Sequence, residues 1–210
     1  MKKDKLLWST TIICFLPLIL SFVLYDKLPE LVAIHFNYEG VADNYVPKAV
    51  GAFGLPVLMA AINIFIHFKL NNDPKKMNSP SALKYLGKWS VPIISVILIP
   101  VTLFIAIGYK IPIQIIALGV VGVIIVAIGN YLPKCKRNYT VGIKLPWTLN
   151  SEVNWNKTHH IAGYLWILGG ILMIIGSWIQ IQGISLILSV GLVIIIIPCS
   201  YSYYLYKKGI

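Results

Sequence analysis

The chain has 210 residues, of which 58% are hydrophobic and only 12% are charged. A water-soluble domain of this size cannot hide so much apolar surface, so the composition excludes the ordinary soluble classes and predicts a membrane protein. The formal net charge of +11 would also suit a nucleic-acid-binding protein, but the lysines and arginines are distributed around long apolar segments. We therefore expect the lipid bilayer as a partner and no direct contact with nucleic acid.

Six apolar segments are each long enough to cross a bilayer as a helix, which takes roughly 20 residues. We place them near residues 6–25, 48–68, 91–109, 111–131, 161–181 and 183–203. The first segment is followed by Tyr25-Asp26-Lys27 instead of a small-residue cleavage site, so we interpret it as a retained helix and not as a signal peptide. The predicted fold class is an all-α polytopic membrane protein with six transmembrane helices.

The distribution of charge predicts an orientation. Most lysines and arginines fall at the two termini and in residues 69–90 and 132–160, whereas the loop after the first helix holds four of the seven acids: Asp26, Glu30, Glu39 and Asp43. Cytoplasmic loops carry an excess of lysine and arginine. We therefore expect both termini in the cytoplasm and the acidic loop outside the cell.

This topology divides the chain into three parts. Residues 1–68 form an amino-terminal module with helices 1 and 2 and the extracellular loop 26–47. Residues 69–90 form a cytoplasmic loop with a short amphipathic segment. Residues 91–210 form a second module with helices 3–6 and a cytoplasmic connector, 132–160. No charged residue lies near the middle of a span, which weighs against an ion-coupled pump; Asn63 and His67 share one helix face and should hydrogen-bond a neighbouring helix.

Residues 28–48 predict a short extracellular β-like hairpin between helices 1 and 2. Val32, Ile34 and Phe36 alternate with small or polar residues, which favours a strand. Residues 37–40 can turn because Gly40 tolerates a positive φ, and residues 41–46 would return as a second strand that leans on the helix ends. The spacing matches no standard metal site. We expect the hairpin to face a cationic or amphipathic ligand through His35, Asn37, Glu39, Gly40, Asp43 and Lys48.

The connector is the densest polar segment in the chain. Gly142 and Pro146 predict an extended or turned start, and Thr148 or Asn150 can cap a following helix with Glu152 in its first turn. Trp155 falls on one helical stripe with His159, Ala162 and Trp166, so that helix should run on into the fifth span. Two interpretations stay open, an interfacial plug under the helix bundle and a docking surface for a cytoplasmic protein. Because no catalytic motif is present, we expect no enzyme activity and no cofactor.

The connector closely resembles the signature of the SdpI/YfhL family of bacterial membrane proteins. The matching positions are Asn138, Gly142, Ile143, Pro146, Trp147, Thr148, Leu149, Glu152, Trp155, Thr158, His159 and Gly163. The chain departs from the usual residues at four positions, with Lys144 for arginine, Leu145 for threonine, Asn154 for valine and His160 for arginine. Residues 28–48 also resemble an amino-terminal module of this family, with Ala33 where a proline is frequent.

The resemblance implies a function that the residues alone do not. It implies a protein of the bacterial plasma membrane that gives immunity to a secreted antimicrobial peptide toxin and holds an ArsR-type helix-turn-helix repressor at the membrane. The residues it places at the cytoplasmic partner site are Asn138, Gly142, Lys144, Pro146, Trp147, Thr148, Glu152, Trp155, Thr158 and His159. The alternatives are a small-molecule or peptide transporter and a membrane-embedded enzyme with its site at Trp147, Glu152 and His159.

Overall fold

The computed structural model describes residues 4–37, 39–179 and 183–210. Its helices are α1 (Lys5–Phe15), α2 (Pro17–Leu24), α3 (Leu55–Asn71), α4 (Ser81–Ala106), α5 (Ile113–Tyr131), α6 (Pro146–Asn150), α7 (Glu152–Trp178) and α8 (Gly183–Lys207). Two strands, β1 (Leu31–Phe36) and β2 (Ala42–Pro47), pair antiparallel. Lys2 and Lys3 of the basic amino terminus, Tyr38 of the predicted turn at 37–40, and residues 180–182 at the end of the fifth predicted span lie outside the described residues.

The prediction of six spans is confirmed. Within the described residues, six helical segments are long and apolar enough to cross a membrane: Lys5–Lys27, Val50–Asn71, Ser81–Ala106, Ile113–Lys134, Glu152–Trp178 and Ser185–Lys207. The chain is therefore a multi-pass membrane protein that is mostly helical, with one small hairpin.

The start of the third span differs from the prediction, because α4 begins at Ser81 instead of near residue 91. α7 begins at Glu152 and continues to Trp178, which confirms that the connector helix runs on into the fifth span. Hydropathy locates the apolar part of a helix, but where the helix begins is set by the chain before it. Ser79 is extended and Pro80 directly precedes α4, and the side chain of Ser151 caps α7. Both helices thus begin with several polar turns that precede their apolar stretches.

The chain forms two compact units. The first comprises Met1–His67 with Gly87–Ala117, and the second comprises Phe68–Leu86 with Leu118–Ile210.

In the first unit the hairpin rests on helix ends, as predicted. Val32 of β1 is fully buried in an apolar cluster with Leu24, Leu28 and Ala52. A Cβ added to Gly51 would collide with the Val32 side chain, so the strand and the start of the second span are in close contact. Because an isolated two-stranded hairpin is marginally stable in water, this contact is what holds the hairpin in place.

The same unit contains a buried polar contact between spans, which confirms the prediction for Asn63 and His67. The Thr10 hydroxyl oxygen lies 3.0 Å from Nε2 of His67 and 3.0 Å from the side-chain amide of Asn63. All three side chains are buried. A polar group in an apolar environment is costly unless it is hydrogen-bonded, so this contact fixes how α1 and α3 pack against each other.

In the second unit α5 and α7 approach until their backbones touch. A Cβ on Gly122 would lie 2.8 Å from the carbonyl oxygen of Gly170, and one on Gly129 would lie 3.0 Å from the carbonyl oxygen of Gly163. Small residues allow such close helix packing in membranes. α7 also packs on α8 through an apolar cluster that includes Met173, Leu186, Val190 and Ile194.

Candidate functional site

The connector, residues 132–160, folds around the buried side chain of Asn138. Its Oδ1 accepts hydrogen bonds from the backbone N–H groups of Thr140 (2.9 Å) and Val141 (2.7 Å). Its Nδ2 donates to the carbonyl oxygen of Lys136 at 3.0 Å and to Sγ of Cys135 at 3.1 Å. One side chain therefore hydrogen-bonds backbone groups on both sides of a bend in the chain, as asparagine commonly does in turns.

Asp73 connects this bend to the loop that follows α3. Its Oδ2 accepts hydrogen bonds from the Tyr139 N–H (3.0 Å) and the Thr140 hydroxyl (2.5 Å), and its Oδ1 accepts from the Lys75 N–H at 2.7 Å. Burial raises the pKa of Asp73, but these hydrogen bonds outweigh burial and the net pKa lies below its ordinary value. Sequence reasoning did not single out Asp73; the signal was an acid inside a lysine-rich loop.

A second tie between the same two loops lies beside the first. The Asn78 Nδ2 donates to the carbonyl oxygen of Arg137 at 2.6 Å, and the Lys136 N–H donates to the carbonyl oxygen of Asn78 at 2.9 Å. The connector is thus held by side chains from residues 73–78 and is an ordered structure in its own right.

His159 of α7 is in contact with the connector backbone at Gly142 and Ile143. Gly142 has φ +105°, and a Cβ there would overlap the His159 ring. The Ile143 N–H donates to Nε2 of His159 at 2.9 Å, and Nδ1 lies 2.8 Å from the carbonyl oxygen of Trp155. Because one nitrogen must accept and the other must donate, the ring is the neutral Nδ1–H tautomer.

Trp155 stacks on the His159 ring with centroids 4.0 Å apart and planes 18° apart. The indole Nε1–H donates to the carbonyl oxygen of Cys135 at 2.6 Å. Burial is the largest influence on the Cys135 thiol and raises its pKa, against hydrogen bonds from Ser79 and Asn138. Of the predicted stripe, Trp155, His159 and Ala162 are fully buried and Trp166 is half-buried.

The short helix α6 and the start of α7 correct one prediction. Pro146 is in the first turn of α6, and Leu145 before it is extended, as the proline requires. Thr148 lies inside α6, where its hydroxyl accepts from the Leu145 N–H at 2.8 Å. The cap of α7 is Ser151, whose Oγ accepts from the Asn154 N–H at 3.1 Å, and not Thr148 or Asn150. Glu152 is in the first turn of α7, as predicted.

Asn154, which stands where the family usually has valine, links the connector to α8. Its Oδ1 accepts from the hydroxyls of Ser202 (2.6 Å) and Thr158 (3.1 Å). Its Nδ2 donates to the carbonyl oxygens of Ser202 (3.0 Å) and Ile210 (3.2 Å). The side chain is fully buried, so this departure adds a satisfied polar cross-link.

The predicted partner residues divide by exposure. The buried ones are Asn138, Thr148, Trp155, Thr158 and His159, and each bonds within the connector or α7. Lys144, Pro146 and Glu152 are exposed, and the Lys144 Nζ donates to the carbonyl oxygen of Thr140 at 3.0 Å. Trp147 is half-buried and stacks on Tyr206 of α8. Most of the family signature therefore shapes the connector, and only its exposed positions can meet a partner.

The hairpin residues divide in the same way. Asn37 accepts hydrogen bonds from the N–H groups of Glu39 (2.9 Å) and Val41 (3.0 Å), and Gly40 has φ +80° as predicted. These two residues shape the turn. Glu39 itself is exposed, and so are His35 and Asp43, whose Nδ1 and Oδ1 atoms lie 2.5 Å apart.

Lys48 anchors the base of the hairpin. Its Nζ lies 2.9 Å from Oε1 of Glu30 and 5.4 Å from the centroid of the Tyr25 ring. The hydrogen bond to Glu30 is the main cause of a raised Lys48 pKa. Among the residues that the structure describes, no three His, Cys, Asp or Glu side chains meet as a metal site would require.

Comparison with known proteins gives one consistent result. Residues 134–202 match the SdpI/YfhL protein family, and residues 12–60 match a domain of unknown function, DUF1648. The chain is 30% identical over 210 residues to the Immunity protein SdpI of Bacillus subtilis (strain 168), an alignment that covers 99% of this chain and 98% of that protein. No solved structure matches. The end-to-end similarity and the connector motif lead to one conclusion: this chain belongs to the SdpI/YfhL family.

Proposed function

We propose that the protein is a membrane immunity protein that protects the cell against a secreted antimicrobial peptide toxin. The observation that carries this proposal is the similarity to an immunity protein along 99% of the chain, which includes both the hairpin and the connector. We assign no catalytic role, because the buried histidine of the connector has both ring nitrogens engaged by the backbone.

The proposed orientation places both termini and the connector in the cytoplasm of a bacterial cell. It rests on the excess of basic residues in the segments 69–90 and 132–160. Single cysteines in place of the exposed Lys144 and Glu39 test it with a membrane-impermeant maleimide on intact cells. We expect labelling at position 39 and none at position 144, and the reverse result would overturn the orientation.

The hairpin is the proposed toxin-facing surface. Residues 26–48 hold four acids and two lysines in a chain whose net charge is +11, so this surface attracts a cationic or amphipathic peptide. His35, Glu39 and Asp43 are exposed and can contact the peptide. Asn37 and Gly40 would act indirectly, because they hold the turn in shape.

Protection of a sensitive bacterium tests this role. The protein is expressed in a strain that the secreted peptides of the source bacterium kill, and survival is measured against increasing doses of culture supernatant. We expect the wild type to protect and the His35→Ala/Asp43→Ala variant to lose protection. Asn44→Ala, an exposed change in the same strand, is the matched control and should still protect.

Two results would contradict the proposal. Membrane-inserted wild type that gives no protection would refute immunity, and peptide uptake into proteoliposomes that contain the protein would favour a transporter.

We further propose that the connector recruits an ArsR-type helix-turn-helix repressor when the toxin is bound. Such coupling requires the toxin to favour one arrangement of the helices over another. The exposed residues Lys144, Pro146 and Glu152 on an ordered scaffold support a docking surface. Capture of a repressor on purified membranes, with and without toxin, tests it: Lys144→Ala/Glu152→Ala should lose capture and keep protection, whereas the exposed control Lys157→Ala should keep both. No capture by the wild type would refute recruitment and leave immunity standing.

A further inference from the structure

An aromatic and basic cluster lies where α8 ends in the second unit. We call it the aromatic–lysine cluster, and it consists of Trp147, Tyr203, Tyr204, Tyr206, Lys207 and Lys208. Trp147 stacks on Tyr206 with ring centroids 5.7 Å apart and planes 25° apart. It also meets the Tyr203 ring at 5.4 Å with planes 62° apart. The connector and the end of α8 thus present one continuous aromatic surface.

Each of the two lysines sits over a tyrosine ring. The Lys207 Nζ lies 5.6 Å from the centroid of Tyr203, and the Lys208 Nζ lies 4.6 Å from the centroid of Tyr204. Such cation–π contacts attract an ammonium group to the face of the ring, and both lysines are exposed. The tyrosines are 46%, 52% and 53% exposed at positions 203, 204 and 206, so each of these residues remains accessible.

The position of the cluster along α8 indicates what covers it. The apolar span Ser185–Lys207 ends within the cluster, so these side chains lie where the hydrocarbon of a bilayer gives way to its headgroups. Tyrosine and tryptophan favour this interface, and lysine side chains reach toward phosphate groups there. A headgroup is therefore the nearest ligand of suitable chemistry, at a very high local concentration.

The charge of the surrounding sequence agrees with this position. No acidic residue follows Glu152 in the sequence, so α8 itself supplies no carboxylate side chain to neutralise Lys207 and Lys208. An anionic phosphate would meet two ammonium groups and the hydroxyl groups of the adjacent tyrosines. We propose that the aromatic–lysine cluster binds the headgroup of an anionic phospholipid. Trp147 of the connector stacks on Tyr206 of α8, so the proposed site includes residues of both elements.

Lipid binding to the full-length protein in neutral detergent tests the proposal. Native mass spectrometry measures the affinity for phosphatidylglycerol and for phosphatidylcholine, and thermal unfolding measures the stabilisation by each lipid. We expect the wild type to prefer phosphatidylglycerol. Lys207→Gln/Lys208→Gln should weaken that binding by about 30-fold, the effect expected for two lysines at an anionic surface, and leave phosphatidylcholine binding unchanged.

Two further variants distinguish binding at the cluster from a general effect of positive charge on the protein. Lys27→Gln/Lys110→Gln removes the same charge from two exposed positions outside the cluster and should retain the wild-type preference. Tyr203→Phe/Tyr206→Phe keeps the ring contacts and removes the hydroxyl groups, so it should weaken phosphatidylglycerol binding by a smaller factor.

Four outcomes would overturn the proposal. They are equal affinity of the wild type for the two lipids, an equal loss in the control pair, the same stabilisation by inorganic phosphate as by phosphatidylglycerol, and full displacement of the lipid by polyglutamate. The last two would indicate a free-phosphate site and a surface for an acidic protein segment, respectively.

Discussion

Replacing Gly142 by alanine tests the link between the connector backbone and His159. Gly142 has φ +105°, a conformation that residues with a Cβ rarely adopt. A Cβ there would also overlap the His159 ring, which accepts the Ile143 N–H at 2.9 Å. The substitution therefore strains the backbone and displaces a buried hydrogen-bond acceptor at the same time.

The two effects of the alanine can be estimated separately. A left-handed backbone costs a residue with a Cβ roughly 1–2 kcal/mol. Loss of the hydrogen bond at a buried ring adds about 1–2 kcal/mol. The sum is roughly 2–4 kcal/mol, which for a protein of this size lowers Tm by about 5–10 °C.

Thermal unfolding in detergent, with two matched controls, measures the effect. Gly108→Ala shares the positive φ (+100°) but meets nothing within 4 Å, so it reports strain alone. Gly119→Ala, inside α5 with nothing within 4 Å, reports neither effect and should not lower Tm. We expect Tm to fall most for position 142, less for 108 and not for 119.

Cys135 reports whether the connector is folded, because its thiol is buried. Its backbone carbonyl oxygen accepts a hydrogen bond from the Trp155 indole N–H in the same connector. Maleimide should react with the thiol faster in Gly142→Ala than in either control. If Gly142→Ala unfolds at the same temperature as Gly119→Ala, the described contact between residue 142 and the ring is wrong.

Three further changes test the other contacts. Asp73→Asn should destabilise the protein near neutral pH. Because the folded pKa of Asp73 lies below its ordinary value of 3.8, the difference in stability from wild type should be largest above about pH 4 and shrink as the pH falls through the folded pKa. Thermal unfolding across pH 3–7 measures this difference. Asn154→Val removes the cross-link to α8 and should lower stability by about 1–3 kcal/mol and speed trypsin cleavage near the end of α8, whereas an unchanged rate would mean that the cross-link does not hold it. Thr10→Val should lower stability by about 1–3 kcal/mol, while the exposed Ser9→Ala should have little effect; equal Tm values for these two variants would contradict the buried polar contact.

Patterns that repeat locally were readable from the sequence. The six spans follow from runs of apolar residues, and the hairpin follows from alternation around a glycine that can take a positive φ. A hydrogen bond between His67 and a neighbouring helix could be expected, because a polar group in a span needs a partner. The identity of that partner required the fold, since α1 and α3 are far apart in the sequence.

What the sequence left open were choices among equivalent residues and distant contacts. Thr148, Asn150 and Ser151 are all good caps, and only the structure shows that Ser151 reaches the Asn154 N–H. The role of Asp73 was not predicted because its partners, Tyr139 and Thr140, belong to another loop. The match to the family signature identified the important positions, but it did not distinguish residues that face a partner from residues that build the connector.

The glycine contacts between α5 and α7 restrict how this pair can move. Where two backbones touch, as at Gly122 and Gly170, there is no layer of side chains to change rotamer and let one helix slide along the other. We therefore expect the two helices to move as one rigid unit. Since α7 begins within the connector, a tilt of this unit would move His159 and Trp155 with it, whereas a change in helix register would require the backbone contacts to break.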